Sequence, residues 1–386
     1  MRTVDAVSDK MPLLLAEAKN REAGLIERLR TLVEVESPSG DKAAVDRAQD
    51  AFAAWASTAG GDIRRHRHRD YGDSLEVRFA GVTAREKPIL VLGHLDTVWD
   101  TGTLAVMPWK ATRDRLAGPG VLDMKAGVMM ALTAVEMLND LRLPRRAVTM
   151  LLHGDEEVGS PVSRRITESV AKRCSAVYVI EPAQGDAGAY KTARKAVGLY
   201  RLGVRGVAAH SGVDFERGHS AVVELARQIE TLTGFTNLAR GITVNPGTIG
   251  GGTRSNVIAA EAWTEIDVRL AQSRDMATLH RRFEKLKPYD RACTLELTGG
   301  INRPPMERTA GTVALFRRAK KLAGQMGFEL EEAATGGGSD GNFTSALGVP
   351  TLDGMGAVGA GAHALHEHVE RNHLAMRTAL LAGMLT

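Results

Sequence analysis

The chain has 386 residues, enough for a large core and for two domains at the usual size of roughly 100–200 residues each. Its 50 Lys and Arg nearly balance 46 Asp and Glu, leaving a formal +4, and aromatic residues make up only 4%, so neither the basic stripe nor the stacking platforms of a nucleic-acid binder are available. Hydrophobic residues at 44% and charged residues at 25% exclude a disordered chain and fit a globular enzyme.

Met1–Asn20 carries acids and bases around a short apolar patch, Met11–Ala16. It lacks a basic start, a sustained apolar stretch and a small-residue cleavage site, so no export signal is expected. No run approaches the roughly 18 apolar residues of a spanning helix, and no membrane association is expected. Ala23–Val35 and Lys42–Ala56 read as helices, the second opened by the turn Ser37-Pro38-Ser39-Gly40. Buried strands follow at Ile89–Leu92, Ala147–Leu152 and Val177–Ile180, with helices Met124–Leu138 and Val162–Lys172 between them. Such alternation with short connections predicts an α/β fold, a mainly parallel sheet covered by helices.

The pattern then changes to strand Gly198–Val204, helix Ser220–Leu232, strands Ile242–Ile249 and Glu261–Leu270, helix Asp275–Leu286 and strand Cys293–Thr298. That order, βαββαβ, is the split βαβ or ferredoxin-like unit. After Asn302-Arg303-Pro304-Pro305 the first pattern resumes with helix Thr312–Met326, strand Phe328–Ala333, helix Asn342–Leu347 and a final helix Val369–Leu385. The expected organisation is an α/β domain over 1–195 and 304–386, interrupted by an inserted α+β domain over 196–303. Two cysteines, Cys174 and Cys293, without a partner motif cannot form a disulfide framework or a thiolate zinc site, and a reducing cytoplasm is expected.

Chemistry collects just after the apolar strands. In Gly93-His94-Leu95-Asp96-Thr97-Val98, His94 and Asp96 are two apart and project to one side of an extended segment. The carboxyl end of a parallel strand opens on the crevice where α/β sheets bind ligands. A metal-binding imidazole held by a carboxylate is one use of the pair; a surface His beside an Asp is the other. Gly118–Gly127 is a glycine-punctuated loop at a helix start, where Asp123 would also serve as an N-cap. Asp155, Glu156 and Glu157 follow a strictly apolar strand, either as a solvated acidic turn or as carboxylates that need cations or a shared proton. Glu181-Pro182 repeats the geometry, and Gly359–Gly361 lead into Ala362-His363-Ala364-Leu365-His366-Glu367-His368. Imidazoles and carboxylates without thiolate suit zinc, cobalt or manganese in a hydrolytic site. Two imidazoles, several acids and a glutamate to spare suit a dinuclear centre with a carboxylate base.

This set, in order along nearly the whole chain, resembles the dinuclear zinc amidohydrolases typified by glutamate carboxypeptidase, aminoacylase, acetylornithine deacetylase and succinyl-diaminopimelate desuccinylase. The resemblance implies two divalent ions, zinc with cobalt or manganese as alternatives, and a hydroxide shared between them. It implies that His94 and Glu181 hold one ion, Glu157 and His363 the other, and that Asp123 bridges them. Asp96 then orients His94, Glu156 is the general base, and Glu367 stands at the family's usual place behind the last ligand. His210, in Ala208-Ala209-His210-Ser211-Gly212, matches a residue that polarises the scissile carbonyl, often in the partner subunit's site. Asn256 and Arg269 match positions that contact the substrate's carbonyl or carboxylate, and Gly337 and Ser339 line the carboxylate pocket. The inserted domain is implied to form a homodimer.

A rival reading rests on Gly337-Gly338-Ser339-Asp340-Gly341, which satisfies Gly-x-Ser-x-Gly between a predicted strand and helix, with Asp353 and His363 following in triad order. It leaves His94, Asp123, Glu156, Glu157 and Glu181 unexplained. The expected activity is release of a C-terminal amino acid from a small peptide or N-acyl group. Glutamate is suggested by the Gly-Gly-Gly-Ser-Asp segment and by Lys191, Arg194 and Lys195. An N-acyl-amino-acid deacylase is the alternative within the family.

Overall fold

The computed structural model describes residues 10–82 and 86–386, so residues 1–9 of the stretch read for an export signal lie outside it. Helix α1 (Met11–Glu34) begins well before the predicted Ala23. Pro12 lies in its first turn, where the missing N–H costs nothing, and Leu14, Ala18, Leu25, Leu29 and Leu32 continue one buried stripe. Helix α2 (Lys42–Thr58) opens on Asp41, whose carboxylate accepts the Ala44 N–H. Two antiparallel strands that periodicity did not signal come next, β1 (Asp62–His66) and β2 (Gly72–Phe79). Alternation fails in β2 because Asp73, Ser74 and Glu76 are buried alongside Leu75 and Val77.

The expected parallel strands are β3 (Ile89–His94), β4 (Val148–Gly154) and β5 (Ala176–Val179), all buried, with α3 (Ala126–Asp140) and α4 (Arg164–Ala171) between them. The sheet order is β1-β2-β4-β3-β5 followed by Thr351–Leu352, which runs parallel to β5. β3 sits between β4 and β5, parallel to both, and its register sets His94 beside His153. The carboxyl ends of these central strands therefore lie along one edge of the sheet.

By its contacts the chain divides into two compact units. One runs to Ala193 and takes up Arg308–Thr335 and Ser339–Thr386; the other is Arg194–Glu307 with Gly336–Gly338. In the second unit, β6 (Ala196–Arg205), α5 (Ala221–Thr233), β7 (Thr243–Gly251), β8 (Glu261–Leu270), α6 (Met276–Glu284) and β9 (Thr294–Arg303) follow in the predicted order. Its sheet, β7-β8-β6-β9, is antiparallel throughout, the ferredoxin-like arrangement. Tyr200 stacks on Phe283 at 4.4 Å between ring centroids to fill its core.

The first unit resumes with α7 (Ala310–Gln325), α8 (Gly341–Ala346) and α9 (Leu374–Leu385), the last packed on α1 and α3. Two predicted elements shift. The strand expected at Phe328–Ala333 is Glu332–Thr335, paired with Tyr190–Arg194, because Phe328 packs as a side chain against the core instead of entering a ladder. The final helix begins at Leu374, because Val369 belongs to a short strand, His368–Glu370, held between Gly359–Ala360 and Arg115–Ala117. No helix among the described residues is long and apolar enough to cross a membrane.

Gly127, in the first turn of α3, lies against the backbone of β5's end: a Cβ there would meet the Ile180 carbonyl oxygen at 2.1 Å. Gly127→Ala is expected to destabilise the protein by about 1–3 kcal/mol or more, read as a lower urea midpoint. An unchanged midpoint would contradict this packing.

Candidate metal centre

His94 ends β3 and is 1% exposed. Its Nδ1 lies 2.9 Å from the Asp96 carbonyl oxygen and 3.5 Å from Asp96 Oδ1, so the main chain, more than the carboxylate, sets the ring. The Asp96 carboxylate is used elsewhere. It accepts the N–H groups of Glu156 and Glu157 at 3.2 and 3.1 Å and the Ser39 hydroxyl at 2.7 Å. Asp96 thereby fastens the acidic turn after β4 to the end of β3. Asp155, the first acid of that turn, leaves the cluster and accepts the N–H groups of Val162 and Ser163 ahead of α4.

Asp123 lies in the tight turn Val121–Lys125, behind a cis Asp123–Met124 peptide, and does not cap α3; Lys125 occupies that position. His94 Nε2 is 3.3 Å from Asp123 Oδ1 and 3.7 Å from Glu181 Oε1. His363 Nε2 is 3.4 Å from Asp123 Oδ2 and 3.3 Å from Glu157 Oε2. One carboxylate thus stands between two imidazoles, each with its own glutamate. Ligand atoms of His94, Asp123 and Glu157 lie within 4.8 Å of one another, as do those of His94, Glu156 and Glu181. His363 enters the cluster from a left-handed backbone conformation (φ 63°), two residues after Gly361, whereas His368 turns to the His366 carbonyl and to Glu370.

Burial works against charge on His94, yet its contacts with Asp123 and Asp96 hold its pKa well above the usual imidazole value. Asp123 and Glu157 push His363 up to about 10. Burial would raise Asp123, but the facing His363 and His94 hold it well below the ordinary carboxylate range. Glu157 is pushed up, chiefly by burial. Acids packed this closely draw positive charge, which the imidazoles supply as protons and a divalent cation would supply in their place.

The donor set fits such a cation. His94 Nε2, Asp123 Oδ1 and Glu157 Oε1 are buried without a hydrogen-bond partner, an uncommon condition in a folded interior. Three of the four separations, 3.3–3.4 Å, match the edge of a tetrahedron with bonds of about 2.0–2.2 Å, roughly 3.3–3.6 Å, and the fourth, His94 to Glu181 at 3.7 Å, lies just beyond it. Imidazole nitrogen and carboxylate oxygen without thiolate suit a first-row divalent metal.

In the second unit the structure brings His210 and Asn256 together. Ser211 N–H donates to the Asn256 carbonyl at 3.0 Å, and both side chains are exposed. Gly212 N–H donates to His210 Nδ1 at 3.2 Å, which leaves the proton on Nε2. Arg269 is more committed than expected: Nε and Nη2 donate to Asp267 at 2.9 and 2.8 Å, and Nη1 to the Gly336 carbonyl at 3.2 Å. Arg194 Nη1 donates to the carbonyls of Gly337 and Gly338 at 3.3 and 3.0 Å. Gly337 itself is exposed. Of the three cations read for a glutamate side chain, Arg194 is buried and donates to the glycine turn, Lys191 is buried too, and Lys195 is half-buried. Ser339 does not line the pocket expected of it. It is fully buried, donating to Asp353 at 2.6 Å and accepting the Gly341 N–H, so its hydroxyl is presented neither as a nucleophile nor to a pocket. Sequence reasoning missed Ser39 and Trp99, whose partners Asp96 and Glu367 are far away in the chain.

Residues 90–386 match the model of peptidase family M20/M25/M40. Carboxypeptidase G2 of a Pseudomonas species is 26% identical over 385 residues, covering 97% of this chain and 91% of its own length. Succinyl-diaminopimelate desuccinylase of Delftia acidovorans is 28% identical over 316 residues, covering 74% and 78%. The crystal structure of aminopeptidase PepT from Bacillus cereus has a TM-score of 0.77 at 19% identity, covering 94% of this chain and 98% of that one. An M20 family metallo-carboxypeptidase from Sulfolobus solfataricus has a TM-score of 0.72 at 18% identity, covering 93% and 99%. The structural likenesses show a shared fold, and the family match, which spans most of the sequence, makes this chain a member of peptidase family M20/M25/M40.

Proposed function

We propose that the protein uses two divalent cations, zinc first among them, to hydrolyse an amide bond and release a C-terminal amino acid from a peptidyl or N-acyl group. The observation that carries this reading is the Asp123 carboxylate between two imidazoles, each paired with its own glutamate. His94 and Glu181 would hold one cation, His363 and Glu157 the other, with Asp123 shared. When bound, the pair supplies Lewis-acid polarisation of the scissile carbonyl and lowers the pKa of the attacking water.

Glu156 remains as the base. Its main chain is tied to Asp96 and its carboxylate lies in the group with His94 and Glu181. It takes a proton from the attacking water and delivers it to the leaving nitrogen. His210, with its proton on Nε2, donates to the carbonyl oxygen as negative charge develops there. Asn256 adds an amide contact, and Arg269, 30% exposed along its side chain, orients the free carboxylate beside Gly337.

A deacylase reading of the same chemistry is favoured by one observation. Val98, Val158 and Leu365 are exposed and lie within two residues of Asp96, Glu157 and His363 respectively, which suits an apolar acyl group. Homodimerisation through the second unit is supported by β7, an edge strand, and by exposed Val222 and Val223 on α5 and Ile249 on β7. A cytoplasmic location is proposed from two buried free thiols.

Screening N-acyl amino acids and dipeptides with zinc-loaded protein is expected to find a substrate. Chelation should abolish its hydrolysis and zinc restore it, with no fluorophosphonate label at Ser339; activity that survives complete metal removal would sink the reading. Glu156→Gln should lower kcat by about 10²–10⁴-fold with metal content unchanged, and wild-type turnover in that variant would remove Glu156 from the mechanism. Mixing Glu156→Gln with His210→Ala subunits should restore partial activity. No restoration would mean that each subunit's site is self-contained.

A further inference from the structure

The loops that carry Asp123 and His363 leave one small sheet side by side. Gly359–Ala360 pairs with His368–Glu370, which closes residues 361–367 into a loop. His368–Glu370 also pairs with Arg115–Ala117, from which the chain runs on through Gly118 to Asp123. Glu367, the last residue of the first loop, is fully buried.

Its carboxylate accepts four N–H groups. Oε1 receives those of Leu122 and Asp123 at 2.8 and 3.1 Å, and Oε2 those of Gly120 and the Trp99 indole at 3.0 and 2.8 Å. None of these donors belongs to its own loop. On its own side, Glu367 N–H donates to the Ala364 carbonyl and Ala364 N–H to the Gly361 carbonyl, both at 2.8 Å, so the turn bearing His363 is fixed to the same residue. Hydrogen bonds to an ionised acceptor are the strong ones, and together they offset the cost of burying this carboxylate.

We propose that Glu367 is the positioning residue of this centre: by gathering the amide groups of Gly120, Leu122 and Asp123 it fixes the shared Asp123 carboxylate against His363. The proposal rests on reading the cluster as a metal centre. Glu367 ties the two ligand-bearing loops together and sets the spacing on which cation affinity depends. Glu367→Gln keeps the shape but substitutes an NH₂ for one oxygen. Whichever way the amide turns, two N–H donors lose their acceptor and face another donor.

The test titrates zinc into the full-length metal-free protein against a chromophoric chelator, for wild type, Glu367→Gln and Trp99→Phe. Wild type is expected to bind two ions per chain. Glu367→Gln should bind them about 10–100-fold more weakly, and saturating zinc should restore kcat with KM unchanged, which a general loss of folding would not allow. Trp99→Phe, which removes one donor of four, should lose about threefold to tenfold. Wild-type zinc affinity in Glu367→Gln overturns the proposal and leaves the metal centre standing. Failure of the wild-type protein to bind zinc overturns the metal reading itself. Should Glu367→Gln not fold, Trp99→Phe decides, and unchanged affinity there overturns the proposal.

Discussion

Five acids and two imidazoles converge at one end of a sheet, and the surrounding structure is arranged to hold them there. Carboxylates at such spacing repel one another, so each must be anchored through its backbone or through a second contact. Asp96 is the anchor for the turn after β4, because its carboxylate holds the amides of both Glu156 and Glu157. The end of β5 is held by close approach instead. Gly127 and Gly356 each bring backbone so near the Ile180 carbonyl that a Cβ would stand at 2.1 and 2.2 Å. Arg377, buried and stacked over Tyr190 at 4.4 Å, donates to the carbonyls of Gly188, Gly354 and Gly356 and keeps the second glycine in place. Glu181 therefore leaves β5 from a backbone fixed on two sides.

How much of this was legible in the sequence depends on the range of each contact. His94 and Asp96 are two residues apart, and β-geometry alone puts them on one side. Glu156, Glu157 and Glu181 follow apolar strands, and the parallel order of those strands carries them to one edge. Ser39 and Trp99 gave no signal because their acceptors come from other elements, and serines and tryptophans with unrelated roles look the same in a sequence. β1 and β2 were invisible for a different reason. In β2 the buried Asp73, Ser74 and Glu76 are satisfied by partners such as Lys42, His153 and His66, so the usual link between burial and hydrophobicity fails there, and β1, its neighbour, has no buried residue to mark it.

Cation counts misled in the same way. Lys191, Arg194 and Lys195 suggested a receptor for an acidic side chain, and Arg269 a contact for the substrate's carboxylate. In the folded protein Arg194 and Arg269 donate to the carbonyls of Gly336, Gly337 and Gly338. A turn of three glycines exposes its carbonyl oxygens because no side chain shields them, and the two guanidiniums are what satisfies them. Their charge is structural before it is selective.

The serine motif makes the same point from the other direction. Gly337–Gly341 satisfies Gly-x-Ser-x-Gly, and the turn does precede a helix, α8. A nucleophile elbow works because strain lifts the hydroxyl out of the turn and into the open. Ser339 is instead drawn inward by Asp353, and its oxygen caps the Gly341 amide. A pattern of residue types fixes which groups are available, and burial decides which of them can react. Glu156, half-buried beside His94 and Glu181, has the access that Ser339 lacks, and the formal +4 of the sequence says nothing of it, because the acids of the cluster are concentrated where their charge must be answered locally.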